Sequence, residues 1–235
     1  MSQTEQDASI GGDQSNTTLR IYTVVLSVGV CCSLAIVTVY QATLPIIQSN
    51  KKEFRGRAIL DVLPGATTSE AFRLDEATGQ FQPESSDAEG SDIVFAGFDQ
   101  EGALVGIAIE TRGMGYQDYI QLLYGYSPDD QNVIGIRVLE SRETPGLGDR
   151  IEKDADFLSN FDHLDVSLGS DGGELAHMIE FVKPGTKTAD WQIDGITGAT
   201  ISSRATADML RDSTAYWMPH VYPRRTDFKP TQVKE

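Results

Sequence analysis

The most uniform apolar stretch lies near the N-terminus. From Ile21 to Asn50 no charged residue occurs, and Val24 to Val39 is dominated by Val, Leu, Ile, Ala and Cys. At 1.5 Å of rise per residue, about 20 such residues cross a hydrocarbon core of about 30 Å. Residues 21–48 therefore predict a single membrane anchor behind an N-terminal tail over 1–20. A cleavable signal would carry a shorter apolar core, about 7 to 15 residues, behind a basic tip. Here the tip is acidic, with Glu5, Asp7 and Asp13 against Arg20 alone, so the anchor reads as uncleaved. Pro45 lacks the amide that continues a helical ladder and predicts loosening at the far interface.

Beyond the anchor the pattern changes twice. Phe54, Ala58, Ile59, Val62 and Leu63 recur at three- and four-residue steps, predicting a short amphipathic helix over 51–63 that Pro64-Gly65 ends. The stretch to Asp92 holds few large apolar residues and reads as loop, with one short strand at Ala71 to Leu74. Residues 49–92 are thus expected to be a juxtamembrane helix and loop. At Ile93 alternation begins. Ile93 to Phe98 and Ala103 to Ile109 flank a tight polar turn, and Tyr119 to Tyr126 pairs with Val133 to Leu139, predicting an antiparallel sheet. Asp149 as N-cap predicts a helix to about Phe161. A weaker strand follows at His177 to Val182, then a last helix from about Ile201 to Trp217. Helices segregated from an antiparallel sheet define an α+β class. The folded domain is placed at 93–217, with an unstructured tail over 218–235.

Composition narrows the partners. A chain of 235 residues, 40% hydrophobic, holds one sizeable domain plus appendages. Its formal net charge of -16 excludes nucleic acid as a partner, because a phosphate backbone is repelled. The two cysteines, Cys31 and Cys32, are neighbours in the apolar run and form neither a disulfide framework nor a metal set. His163, His177 and His220 lack metal-ligand spacing, so no metal is expected. No GxSxG elbow occurs, which leaves a hydrolase triad without support.

The chemistry concentrates in Asp194-Gly195-Ile196-Thr197-Gly198-Ala199-Thr200-Ile201-Ser202-Ser203-Arg204, a hydroxyl-rich turn running into the last helix. Gly198 and Ala199 leave the backbone beside Thr200 nearly bare, so a large group can approach its hydroxyl. With Thr200 at the helix start, the amides of Ile201, Ser202 and Ser203 and the helix dipole favour a phosphate there. The Ser202 and Ser203 hydroxyls add donors, and Arg204 a counter-charge. Two readings stand: Thr200 carries a phosphate-bearing group, or it caps a helix while Asp194 and Thr197 shape the turn. Upstream lies Glu143-Thr144-Pro145-Gly146-Leu147-Gly148. Gly146 and Gly148 let backbone approach a flat ring and Leu147 can cover an apolar face, unless the loop only joins strand to helix. Tyr116 and Tyr124 are candidates for stacking or for the core.

The 194–203 segment resembles the flavinylation signature of the FMN-binding domain shared by the G subunit of Rnf-type electron-transport complexes and the C subunit of the sodium-pumping NADH:quinone oxidoreductase. Residues 143–148 resemble the second signature of that domain. With the Ile93 to Leu139 strands and the single anchor, the resemblance covers about residues 20–217. It is nearer the Rnf protein at 143–148 and at Ile201-Ser202-Ser203.

This resemblance implies that FMN is esterified through its phosphate to Thr200 by a separate flavin transferase that draws on FAD. It places Asp194, Thr197, Gly198, Ala199, Ser202 and Ser203 around the cofactor, together with Glu143, Thr144, Gly146, Leu147 and Gly148, and assigns no catalytic residue. The implied role is a membrane-anchored flavoprotein passing electrons within an ion-translocating complex between ferredoxin and NAD. Implied partners are the other membrane and soluble subunits, the flavin transferase and membrane lipid. The FMN domain is implied to face the periplasmic side of the inner membrane. Lys51, Lys52, Arg55 and Arg57 pull the other way under the positive-inside rule, although long domains translocate largely regardless of flanking charge. The alternatives are a free-standing membrane-tethered FMN carrier or reductase, and a cofactor-free tethered binding module.

Overall fold

The computed structural model describes residues 3–75, 77–85, 88 and 90–230, with side chains from residue 17 onward. The chain divides into two compact units, Met1–Lys51 and Lys52–Glu235. Helix α1 runs Gln3–Asp61. In the first unit its apolar side chains, Leu26, Ile36 and Val39 among them, are exposed, and its most apolar window has a mean hydropathy of 2.2. Thr23, Ser27, Thr38 and Thr43 each turn the hydroxyl back to a carbonyl three or four residues earlier. Their polar groups are satisfied within the helix, as an apolar surround demands. By length and composition the helix is able to cross a membrane.

The loosening expected at Pro45 does not occur. One missing amide removes one ladder bond, and the helix continues through it to Asp61. The amphipathic helix expected over 51–63 is therefore the end of α1 rather than a separate element.

In the second unit Ala58, Ile59, Val62 and Leu63 are buried against Ala71, Ile93, Phe95, Ala108 and Leu123 on one face of a sheet. Gly125 lies directly beneath, where a Cβ would collide with the Val62 carbonyl. That sheet holds, among the described residues, seven strands in the order β2-β1-β3-β4-β5-β6-β7. They are β1 (Thr68–Asp75), β2 (Gln80–Glu84), β3 (Ile93–Phe98), β4 (Leu104–Met114), β5 (Tyr119–Ser127), β6 (Asn132–Glu140) and β7 (Leu164–Asp165), each pairing antiparallel. The alternation predicted β3 to β6. The short strand expected at Ala71 to Leu74 is the middle of β1, whereas β2 occupies the stretch read as loop. β2 lies at the edge of the sheet and only Phe81 of it is buried, so its apolar signal is too thin to register.

The opposite face carries the larger core. Helix α3 (Thr200–Val221) lays Ala207, Leu210, Trp217, Met218 and Val221 over Val94, Ile107, Ile109, Leu122 and Tyr124. The helix expected over 149–161 is instead broken into a 3-10 turn at Gly148–Glu152, α2 at Ala155–Leu158 and a second 3-10 turn at Ser159–Phe161. Asp154, not Asp149, caps α2, accepting from the Phe157 amide. Asp149 is occupied elsewhere, taking the Gly146 amide at 2.6 Å. A two-stranded parallel sheet joins β8 (Glu180–Val182) to β9 (Gln192–Asp194) just ahead of α3.

The tail expected from residue 218 is ordered to Pro230. α3 continues past Pro219, and Phe228 is buried with its ring 5.1 Å from Phe72 and 4.7 Å from Phe81. A single aromatic in a basic, proline-bearing stretch gives no periodic signal, yet it closes the core. Residues 231–235 of that expected tail lie outside the described residues. The second unit is α+β.

Candidate functional site

The start of α3 is unusual in lacking a side-chain cap. Ala199 occupies the cap position and its methyl accepts nothing. The first four amides of a helix have no intrahelical acceptor. That of Ala199 donates to the Ile196 carbonyl at 3.1 Å, whereas those of Thr200, Ile201 and Ser202 find no acceptor among the described residues. The Ser203 amide, expected to be free, is tied to the Ala199 carbonyl at 2.9 Å. Gly198 makes the turn with φ of +86°, and no atom lies within 4 Å of where its Cβ would be. A cap residue typically stabilises a helix by about 1 kcal/mol. This end forgoes it and stands open, with the positive end of the dipole facing solvent.

Three hydroxyls crowd this turn and burial separates them. Thr200 is exposed as the first residue of α3. Ser202 is 1% exposed and donates a hydrogen bond to Glu143 Oε2. Ser203 is fully enclosed, donating to the Ala199 carbonyl at 2.7 Å and accepting the Ile196 amide at 3.3 Å. Neither serine offers a donor to solvent, so of the three hydroxyls on the first turn of α3 Thr200 alone is open to modification; Thr197, also exposed, lies ahead of the helix. Arg204 lies over the Phe181 ring at 4.6 Å.

Asp194 holds the approach to the turn. Its carboxylate accepts the amides of Gly185, Thr186 and Lys187 at 2.9, 3.2 and 3.3 Å. Its own amide and carbonyl both bond the Asn160 side chain. Of the two roles open to it, shaping the turn is the one its contacts support. Thr197 is exposed, and its carbonyl accepts Arg150 Nη1 at 2.8 Å, tying the turn to the 148–152 segment.

The 143–148 loop lies against the same helix end. Gly146 adopts φ of +79° and Leu147, 52% exposed, projects from the turn closed by its amide on the Thr144 carbonyl. Gly148 is buried, and a Cβ there would collide with Glu143 Oε2. Its bareness serves the packing of Glu143. Asp149 closes the loop: hydrogen bonding to the Lys153 ammonium chiefly holds its carboxyl below the ordinary range, against opposing desolvation and with a lesser contribution from the Gly146 amide. Tyr124 is core, its hydroxyl 2.8 Å from Ser213 Oγ and its phenol pushed up by burial. Tyr116 is 63% exposed on the hairpin between β4 and β5, next to Gln117, which accepts the Thr144 hydroxyl at 2.9 Å. Gln117, Arg150 and Asn160 carry no motif signal, because each acts through contacts with residues far along the chain.

An open hydroxyl on an uncapped helix end and exposed Leu147 and Tyr116 nearby fit a group that joins a phosphate to a flat ring. Residues 115–215, which take in both the 143–148 loop and Thr200, match the family described as FMN-binding domain. The chain is 31% identical over 211 residues to the G subunit of the ion-translocating oxidoreductase complex of Methanosarcina acetivorans, covering 87% of this chain and 96% of that one. The same protein of Pseudomonas aeruginosa is 28% identical over 180 residues, 76% and 78% of the two chains. That of Shewanella piezotolerans is 37% identical over 118 residues, 49% and 50%. In fold the chain is similar to the crystal structures of Shewanella oneidensis NqrC (TM-score 0.56, 20% identity, 73% of this chain and 97% of that one) and of the C subunit of the Na(+)-translocating NADH-quinone reductase from Parabacteroides distasonis (0.57, 20%, 74% and 94%). The fold is the one that carries the FMN-binding domain matched over residues 115–215. More narrowly, the chain belongs to the family of ion-translocating oxidoreductase complex G subunits.

Proposed function

We propose that this chain is the membrane-anchored electron carrier of an ion-translocating oxidoreductase complex, holding FMN as a phosphoester on Thr200. What supports the attachment point is that Thr200 is the one open hydroxyl of three at a helix end whose first amides lack acceptors. Esterification joins phosphorus to Thr200 Oγ1. The pyrophosphate of FAD breaks, AMP leaves, and the hydroxyl proton passes to the transferase that performs the step. The chain itself needs no base, which accords with the lack of a histidine beside Thr200 in sequence.

Within the chain, the amides of Thr200, Ile201 and Ser202 would hold the phosphate, taking the place of the side-chain cap that Ala199 omits. Thr144, Gly146, Leu147 and Tyr116 would hold the ring, with exposed Leu147 and Tyr116 offering apolar cover. The flavin supplies the redox chemistry, and a covalent tether keeps it on a water-facing domain whatever its redox state. Residues 21–48 of α1 cross the membrane once, the FMN-binding domain, with the end of α1, β1, β2 and Phe228 in its sheet and core, lies on the periplasmic side, and the remaining subunits exchange electrons between ferredoxin and NAD. The 96% coverage of the Methanosarcina protein favours a role in such a complex over a free-standing carrier.

Co-expression with a flavin transferase followed by denaturing electrophoresis tests the attachment. The chain should fluoresce under ultraviolet light after denaturation, and Thr200→Ala should not. A dark wild-type band would contradict covalent FMN, and a bright Thr200→Ala band would move the site elsewhere.

A further inference from the structure

Glu143 is 6% exposed, and no Lys or Arg among the described residues forms an ion pair with it. A buried carboxylate without a cation is costly unless hydrogen bonds satisfy it. Two donors do so. The Gln117 amide, 26 positions away in sequence, reaches Oε1 at 3.0 Å, and the Ser202 hydroxyl, 59 positions away, reaches Oε2. Two glycines make the space: a Cβ at Gly115 would stand 2.5 Å from Oε1, and one at Gly148 would strike Oε2. One carboxylate thus joins the β4–β5 hairpin, the 143–148 loop and the first turn of α3. The positive end of the α3 dipole favours an anion at that place.

We infer that Glu143 is the positioning residue of the flavin site. It does not touch FMN. It draws the Ser202 side chain inward, away from the free amides at the helix start, and fixes that turn against the hairpin and loop before any flavin arrives. Thr200, two residues ahead of Ser202, is thereby presented outward to the transferase. This role rests on the reading that Thr200 carries FMN. It also reassigns Gly148, which is bare to admit Glu143 and not to admit a ring.

A double-variant cycle on the full chain separates these roles. The rate of flavin attachment is followed by gel fluorescence with the transferase supplied, and hydrogen exchange and urea unfolding are followed on the unloaded chain. Glu143→Ala should slow attachment about tenfold or more, the scale set by losing a buried hydrogen bond to a charged group. It should also raise exchange of the Gln117 amide. Glu143→Gln keeps the shape and can bond both partners, so it should restore attachment to within about threefold of wild type. Ser202→Ala alone should slow attachment, yet add less than about twofold once Glu143 is alanine, because the two side chains share one hydrogen bond. If Glu143→Ala fails to fold, Ser202→Ala takes its place and should slow attachment likewise. Wild-type attachment rates in folded Glu143→Ala or in Ser202→Ala, or fully multiplying losses in the double variant, would overturn the proposal. Fluorescence that persists in Thr200→Ala would instead remove the site reading, and this role with it.

Discussion

Thr200, Ser202 and Ser203 present the same functional group within four residues, and their fates differ because the helix turns two of them inward. Ser202 finds Glu143, and Ser203 folds back on its own turn. In sequence the three are interchangeable donors. The openness of Thr200 was legible from the bare residues beside it, but the enclosure of Ser202 depends on a partner 59 positions away. Asp194 illustrates the same limit. Its place in the motif was visible, whereas the three amides it collects belong to a turn at 185–187 that no local pattern links to it. Replacing Asp194 by alanine should destabilise the unloaded domain by about 1–3 kcal/mol, since amides that bonded a charged acceptor lose it. A urea midpoint unchanged from wild type would show that the turn does not depend on this carboxylate.

Elements with strong alternation were readable, and those whose residues face two environments were not. β3 to β6 follow the apolar pattern closely because they form the middle of the sheet, where α3 covers one face and the end of α1 the other. The 149–161 stretch was read as one helix with Asp149 as its N-cap, yet Asp149 and Asp154 each close a local turn and divide it. The Asp149 to Lys153 contact at 2.7 Å gives this stretch a pH window. The carboxyl is depressed and the ammonium raised, each chiefly by hydrogen bonding to the other. The depressed carboxyl contributes stability that is present above its ordinary value, about 4, and lost as pH falls through the lower folded value. The raised ammonium contributes stability present below its ordinary value, about 10.4, and lost as pH rises through the higher folded one. Hydrogen exchange at the Gly146 amide, corrected for intrinsic rate, should therefore rise relative to neutral pH when Asp149 protonates. A Gly146 amide equally protected on both sides of that titration would contradict the assignment.

At the scale of the whole molecule, one aromatic residue and one helix decide how the chain is held. Phe228 inserts into the cluster of Phe72 and Phe81, so the final segment is part of the core and not an appendage. Phe228→Ala should cost about 3–5 kcal/mol of domain stability by urea unfolding, the range for emptying a buried aromatic site. A cost under about 1 kcal/mol would mean that the segment is not anchored there. The exposed apolar run of α1 predicts membrane association from pattern alone, while the side of the membrane turns on a contest between Lys51, Lys52, Arg55 and Arg57 and the tendency of long domains to translocate. Periplasmic placement expects an alkaline phosphatase fusion after Glu235 to be active and a cytoplasm-dependent reporter there to be dark. The reverse pattern would place the flavin site inside. Everything proposed for the assembly depends on FMN being carried on Thr200. Fragmentation mass spectrometry of the chain isolated after co-expression with a flavin transferase reads this directly. The peptide spanning Asp194 to Arg204 should carry one FMN in ester linkage, with fragment ions locating it on Thr200; an unmodified peptide, or FMN on Thr197, Ser202 or Ser203, would contradict it.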